Sequence, residues 1–267
     1  MRLSPASVAP AQVYKPQGLA VLNTTFLRAC LGVVAALGCV YVKAEVVITG
    51  TRQVYPAEQK EITVQLNNTG TQPALVQSWI DSGDPQSSPT NATAPFVLSP
   101  PVARIDPGKG QSLRVMFVGT PLRKDKESVF WLNVLEIPPK SPVVEGQNQL
   151  QMAFRSRIKI FYRPMLEPQT ASQAPDQVQW QVLPSALGKG FVLQAHNPSA
   201  FYVSLIGLTL LPDNGQGRAE DGMIGPGETR QFALPDLRSM PPPGSQVQFT
   251  AINDYGAHVL IKHALGS

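Results

Sequence analysis

Cysteine is almost missing from this chain: its 267 residues include only Cys30 and Cys39. Both fall in an N-terminal stretch that reads as a removable leader, so nothing remains for a disulfide afterwards. Histidine is nearly as scarce. His196, His258 and His263 all lie late in the chain, without the H-E-x-x-H or C-x-x-C spacing that metal coordination favours. They read as ordinary strand or turn residues. Also missing are the G-x-S-x-G elbow of serine hydrolases and the glycine-rich loops that cradle nucleotide phosphates. Together these gaps point to binding rather than catalysis, with no cofactor and no metal. No window sustains the i, i+3, i+4 apolar spacing of an amphipathic helix, which leaves β-structure to carry the fold.

Excess charge is missing as well, once its position is noted. The formal charge is +4, but Arg2, Lys15, Arg28 and Lys43 occupy a 44-residue prefix that has no acid. Beyond it, 18 basic residues balance 18 acidic ones. A nucleic-acid binder would carry its positive field on the folded part, so that class is set aside. In the prefix, Arg28 precedes the apolar run CLGVVAALGCVYV (30–42), and V-K-A follows at 42–44. This is the layout of a secretory signal, with cleavage expected after Ala44. A bilayer span takes about 20 apolar residues, so no stable membrane insertion of the mature chain is expected.

What the mature chain does contain is alternation. Strand-like runs occur at 45–55, 61–68, 73–81, 103–105, 112–119, 129–137 and 149–163, separated by turns such as Asp106-Pro107-Gly108. The segment PMLEPQTASQAPDQ (164–177) breaks the pattern and reads as a connection. A second set follows at 178–183, 191–197, 201–211, 229–234, 246–253 and 258–265. The expected organisation is a leader at 1–44 and two all-β, immunoglobulin-like sandwich domains at 45–165 and 166–267.

One strand stands out. In RSRIKIFYRP (155–164) basic residues alternate with Ile158, Ile160 and Tyr162, so one face is apolar and the other cationic. Leu150, Met152 and Phe154 share parity with the apolar face, extending it to about 43 Å. Periodicity leaves two readings equal: these three side chains either sit in their own core or seek a partner. Arg155 and Arg157 read as solvent-facing guards against edge-to-edge pairing.

RIKIFYRP (157–164) closely resembles the end of the first domain in PapD-like periplasmic pilus chaperones. TRQVYPA (51–57), PFVLSPPVARIDPGKGQSLRVMF (95–117), KESVFWLNVLEIPP (126–139) and AINDYGAH (251–258) resemble the same family in order. Arg123 and Lys124 depart from its usual small residue or proline. The resemblance implies a boomerang of two immunoglobulin-like domains, working in the periplasm without ATP. It would cap pilus (fimbrial) subunits by donor-strand complementation, a known strand-addition mode, and deliver them to an outer-membrane usher. It implies Leu150, Met152 and Phe154 as donated side chains, and Arg52 and Lys159 as the cations that take the subunit's carboxylate. It also implies an interdomain charge cluster of Glu136, Arg163 and Asp254. The short stretch from Glu136 to Asn148 fits the short-loop branch and is expected to be mobile. An unfilled donor strand could also be capped by a second copy, as a homodimer. The rival reading is a secreted adhesive or carbohydrate-binding module, which would expose aromatic side chains. Trp79, Trp131 and Trp180 instead fall within strand patterns expected in the core.

Overall fold

The computed structural model describes residues 45–119, 121–137, 152–186, 190–212 and 217–266. The expected leader, Leu150 and the loop from Pro138 to Asn148 lie outside them. Among the described residues, the first domain runs β1 (Val46–Ile48), β2 (Arg52–Pro56), β3 (Glu61–Asn68), β4 (Ala74–Asp81), β5 (Phe96–Ser99), β6 (Val102–Ile105), β7 (Gly110–Phe117), β8 (Ser128–Ile137) and β9 (Phe154–Arg163). One sheet has the order β1-β3-β7-β5 and the other β2-β9-β8-β4-β6. Alternate side chains turn inward from both sheets, and Tyr55, Leu66, Leu113, Leu132 and Ile160 are fully buried between them. Each such burial contributes about 1.5–3 kcal/mol, which is how a sandwich whose own residues include no cysteine is held together.

The stretch expected as one strand over 45–55 is two. Gly50 adopts φ +88°, a conformation open to glycine, and there the chain leaves the first sheet and enters the second. That switch starts β2 at Arg52 on the edge of the second sheet. Tyr55 fixes β2 inside: its hydroxyl donates to Lys60 O at 2.8 Å and accepts from Phe117 N at 3.1 Å, while its ring stacks on Tyr162.

The second domain opens with a single-turn helix, α1 (Ala174–Gln177), inside the stretch expected to be irregular. Pro175 suits a helix start, and Ala174 is buried in the second core. Strands β10 (Gln179–Pro184), β11 (Phe191–His196), β12 (Val203–Leu211), β13 (Gly222–Ile224), β14 (Thr229–Leu234), β15 (Gln246–Ile252) and β16 (His258–Ala264) follow. They form sheets of order β10-β11-β14 and β13-β12-β15-β16. Trp180, Leu193, Leu205 and Phe249 fill the space between. Strands β5 and β13 went unread because one is four residues between prolines and the other is three residues, too short to display alternation. The protein is thus almost wholly β, with two sandwiches. No helix among the described residues is long and apolar enough to cross a membrane.

Candidate functional site

Two cations far apart in sequence become neighbours through one parallel pairing. Strand β2 runs parallel to β9 with Arg52 opposite Lys159, so the two project from the same face about 4.8 Å apart at the backbone. Lys159 is also opposite Trp131 of β8. Both cations come from the first domain, yet their hydrogen bonds go to the second. Arg52 Nη1 donates to Ile252 O at 2.8 Å, and Lys159 Nζ donates to the buried Ser204 hydroxyl at 3.2 Å. Arg52 also lies over the Phe161 ring, and its Nε is buried without a partner.

Neither cation makes an ion pair among the described residues. Burial lowers the Lys159 ammonium to about 8, with Arg52 and Arg230 adding like-charge repulsion. Burial likewise lowers Arg52, against the pull of Asp254. The pair lines a groove of about 320 Å³ together with Thr51, Trp131, Arg157 and His258. A carboxylate there would relieve the repulsion and accept charge-assisted hydrogen bonds, which are about twice as strong as neutral ones.

The same register determines where the sheet edge opens. Strand β2 covers β9 only from Lys159 to Arg163, whereas β8 pairs with β9 from Tyr162 back to Phe154. From Phe154 to Ile158, then, β9 has one strand neighbour among the described residues and one open side. Its apolar face divides likewise: Ile160 and Tyr162 are buried in the core, Phe154 and Ile158 are half-buried, and Met152 is 50% exposed. Met152 therefore does not sit in the first domain's own core.

The expected charge cluster needs one correction. Arg163 does reach Asp254, with Nη1 and Nη2 donating at 2.7 and 2.8 Å, but the third member of the cluster is Glu127, at 2.5 Å from Nε. Glu136 is elsewhere, accepting from the backbone of Glu45 and Val46 at 3.1 and 3.0 Å. The antiparallel register explains this: β8 begins with Ser128 opposite Tyr162 and carries Glu136 opposite Phe154. Along a strand that places Glu136 about 30 Å from Glu127. Glu127 is buried and also accepts from Tyr202 N at 2.8 Å, and its own backbone N–H donates to Ala200 O. Burial pushes its carboxyl up against the pull of Arg163. Burial opposes the Arg163 charge too, yet Asp254 and Glu127 hold that guanidinium above its ordinary value.

Arg155 and Arg157 are not free guards. Arg157 pairs with the buried Asp81 at 2.5 Å and stacks on Trp131, with 4.8 Å from the guanidinium to the ring centroid. Arg155 donates to Asn133 Oδ1, Ser87 Oγ and Pro85 O, and stacks on Trp79 at 4.8 Å. Beyond them Lys159 and Arg163 turn to the second domain. The basic side chains of this face therefore all have protein partners, although Arg155 stays exposed. Trp79 and Trp180 are buried as expected, while Trp131 is half-buried beneath Arg157.

Residues 45–166 match the family of the pili and flagellar-assembly chaperone PapD N-terminal domain, and residues 173–262 match the pili assembly chaperone PapD C-terminal domain. The chain is 41% identical over 234 residues to the chaperone protein FimB/FhaD of Bordetella pertussis, covering 84% of this chain and 92% of that one. Its fold matches the crystal structure of the YadV chaperone with a TM-score of 0.70 and 38% identity, covering 83% of this chain and all of that one. The CupB2 chaperone of Pseudomonas aeruginosa matches with a TM-score of 0.68 and 34% identity, covering 82% of this chain and all of CupB2.

Proposed function

The chain belongs to the PapD family of pilus-assembly chaperones, and from that premise we propose that it captures a pilus subunit along the open edge of β9 and anchors the subunit's C-terminal carboxylate between Arg52 and Lys159. The observation that carries this reading is the coincidence of the two features: the unpaired cations stand at the register where β2 ends its cover and the open edge begins. It also gives the guest a direction. A strand lying in line with β2 and ending in a carboxylate at Lys159 must run parallel to β9. An antiparallel strand would bring its ammonium end to two cations.

Leu150, Met152 and Phe154 are the side chains offered to the guest, each supplying about 1.5–3 kcal/mol when taken from water into an apolar groove. The half-exposed Met152 supports this choice. Main-chain pairing fixes register without demanding a particular guest sequence, so several subunits can be served. The work is done in the periplasm by binding alone, without catalysis or cofactor, and ends with delivery to an outer-membrane usher. While no subunit is present, the same edge is where a second copy of the chain would cap it.

The test uses a synthetic peptide of alternating valine and threonine, about ten residues long to span the open edge, made with a free carboxylate or a carboxamide. The native protein should prefer the free acid by about tenfold or more. Arg52→Ala and Lys159→Ala should each remove most of that preference while the protein stays folded. Equal binding of the two peptides by the native protein would overturn the carboxylate reading.

A further inference from the structure

The half of β9 that has one strand neighbour among the described residues also has its outward side chains tied to the sheet. Between Phe154 and Ile158 the backbone pairs, among the described residues, with β8 alone. A strand end with one neighbour ordinarily opens at little free-energy cost. Here two arginines tie it to the rest of the sheet. Arg157 donates through Nη2 and Nε to Asp81 at 2.5 and 3.3 Å. Arg155 donates twice to Asn133 Oδ1, at 3.0 and 2.7 Å, and also to the 82–93 loop through Pro85 O and Ser87 Oγ. Each guanidinium carbon lies over a tryptophan ring, 4.8 Å from its centroid, and the two tryptophans belong to β4 and β8.

The receiving end is rigid. Asp81 is 1% exposed, and besides Arg157 it accepts from Asn133 Nδ2 at 2.7 Å, Gly83 N at 2.7 Å and Ser87 Oγ at 3.0 Å. Burial pushes its carboxyl up, but these donors together hold it below the usual range, so it remains a fixed anion. Asn133 is fully buried and links the two arginines, donating to Asp81 while accepting from Arg155. A solvated guard against aggregation needs none of this. Fixed side chains on alternate residues hold the intervening backbone extended.

We infer that Asp81 and Asn133, acting through Arg157 and Arg155, are positioning residues that keep the open half of β9 extended before a guest strand arrives. Ordering backbone costs about 1–2 kcal/mol per residue, so a strand that is ordered in advance binds more tightly than one ordered on contact. The inference rests on the strand-addition reading above. It adds that the template is preformed and names the residues that form it.

Two variants of the full mature chain test it, Arg155→Met and Arg157→Met, each keeping an apolar stem over its tryptophan. Hydrogen exchange is measured in the free protein. The β9 amides between Phe154 and Ile158 that pair with β8 should exchange at least about tenfold faster, while those from Ile160 to Tyr162 and those of the second domain stay unchanged. Arg155→Met should bind the free-acid and carboxamide peptides more weakly by a similar factor, because Arg155 lies outside the groove that holds Arg52 and Lys159; Arg157→Met, which also removes a cation from that groove, should weaken the carboxamide peptide as well as the free acid. Unchanged exchange in both variants would overturn the inference and leave the strand-addition reading standing. Faster exchange with unchanged peptide affinity would overturn it too, showing a clamp without a role in capture. Failure of either peptide to bind the native protein would overturn the strand-addition reading, and the inference with it. A uniform rise in exchange across the whole chain would reduce the arginines to general stabilisers.

Discussion

Lys159 carries a charge that its surroundings oppose. Burial and the cations Arg52 and Arg230 bring its ammonium to about 8, and the other titratable groups near it among the described residues are Arg157 and His258 in the groove and Asp254 beyond Arg52. Capture of a carboxylate needs the protonated form, which holds below that value and is lost as pH rises through it. Affinity for the free-acid peptide should therefore fall between about pH 7.5 and 9.5, while affinity for the carboxamide stays level, and Lys159→Arg should flatten the difference because guanidinium stays charged. A free-acid affinity that is level over this range in the native protein would count against Lys159 as a carboxylate donor. The resemblance carried by TRQVYPA and RIKIFYRP paired these two cations, but local periodicity could not, since a parallel pairing between distant strands leaves no mark in it. Glu127 was missed for a related reason. KESVFWLNVLEIPP offers two glutamates, and only the antiparallel register decides between them. A signal was present all the same: in an antiparallel pair the end of one strand meets the start of the other, so the partner of Arg163 belongs at the start of β8.

At the scale of elements, alternation announced most strands, and it also announced the two-faced character of β9. It could not show what covers the second face. Trp79, Asp81 and Trp131 come from strands whose order in the sheet is fixed only on folding, so Arg155 and Arg157 looked solvated. The β15–β16 turn is a second element whose role emerges only in three dimensions. Asn253 Oδ1 accepts from Tyr255 N and Ala257 N, which shapes the turn, and Gly256 at φ +80° lies close to Thr51, the residue before β2. A methyl group at Gly256 would stand 2.7 Å from Thr51 Oγ1, next to Arg52. Gly256→Ala should therefore lose about 1–2 kcal/mol from the left-handed conformation alone. It should also reduce the free-acid preference, because the turn that presents Ile252 O to Arg52 would be displaced. Thermal denaturation and the two peptides check both effects. A variant matching the native protein in both would show that the turn tolerates a side chain and does not support the cation.

For the whole molecule the question is what couples the two sandwiches. Arg163 ends β9 in the first domain and bonds Glu127 of the same domain and Asp254 of the second, while Glu127 accepts from Tyr202 N and Phe161 packs near the Tyr202 ring at 5.9 Å. A buried ion cluster adds little net stability, because desolvation offsets its attraction, but it does demand one geometry. Arg52 and Lys159 each bond a group of the second domain, so the proposed carboxylate site would depend on the angle between domains. Arg163→Met should leave Glu127 buried without its cation and cost up to about 3 kcal/mol. Calorimetry should then resolve two transitions where the native protein gives one, and the free-acid preference should fall although Arg52 and Lys159 are untouched. Adding Glu127→Gln to Arg163→Met removes the stranded charge, so it should recover much of the stability. The peptide preference should not return with it, since the neutral pair no longer dictates an angle. Recovery of both together would mean that the cluster matters for stability only, and that the packing of Phe161 against Tyr202 is enough to hold the domains in register.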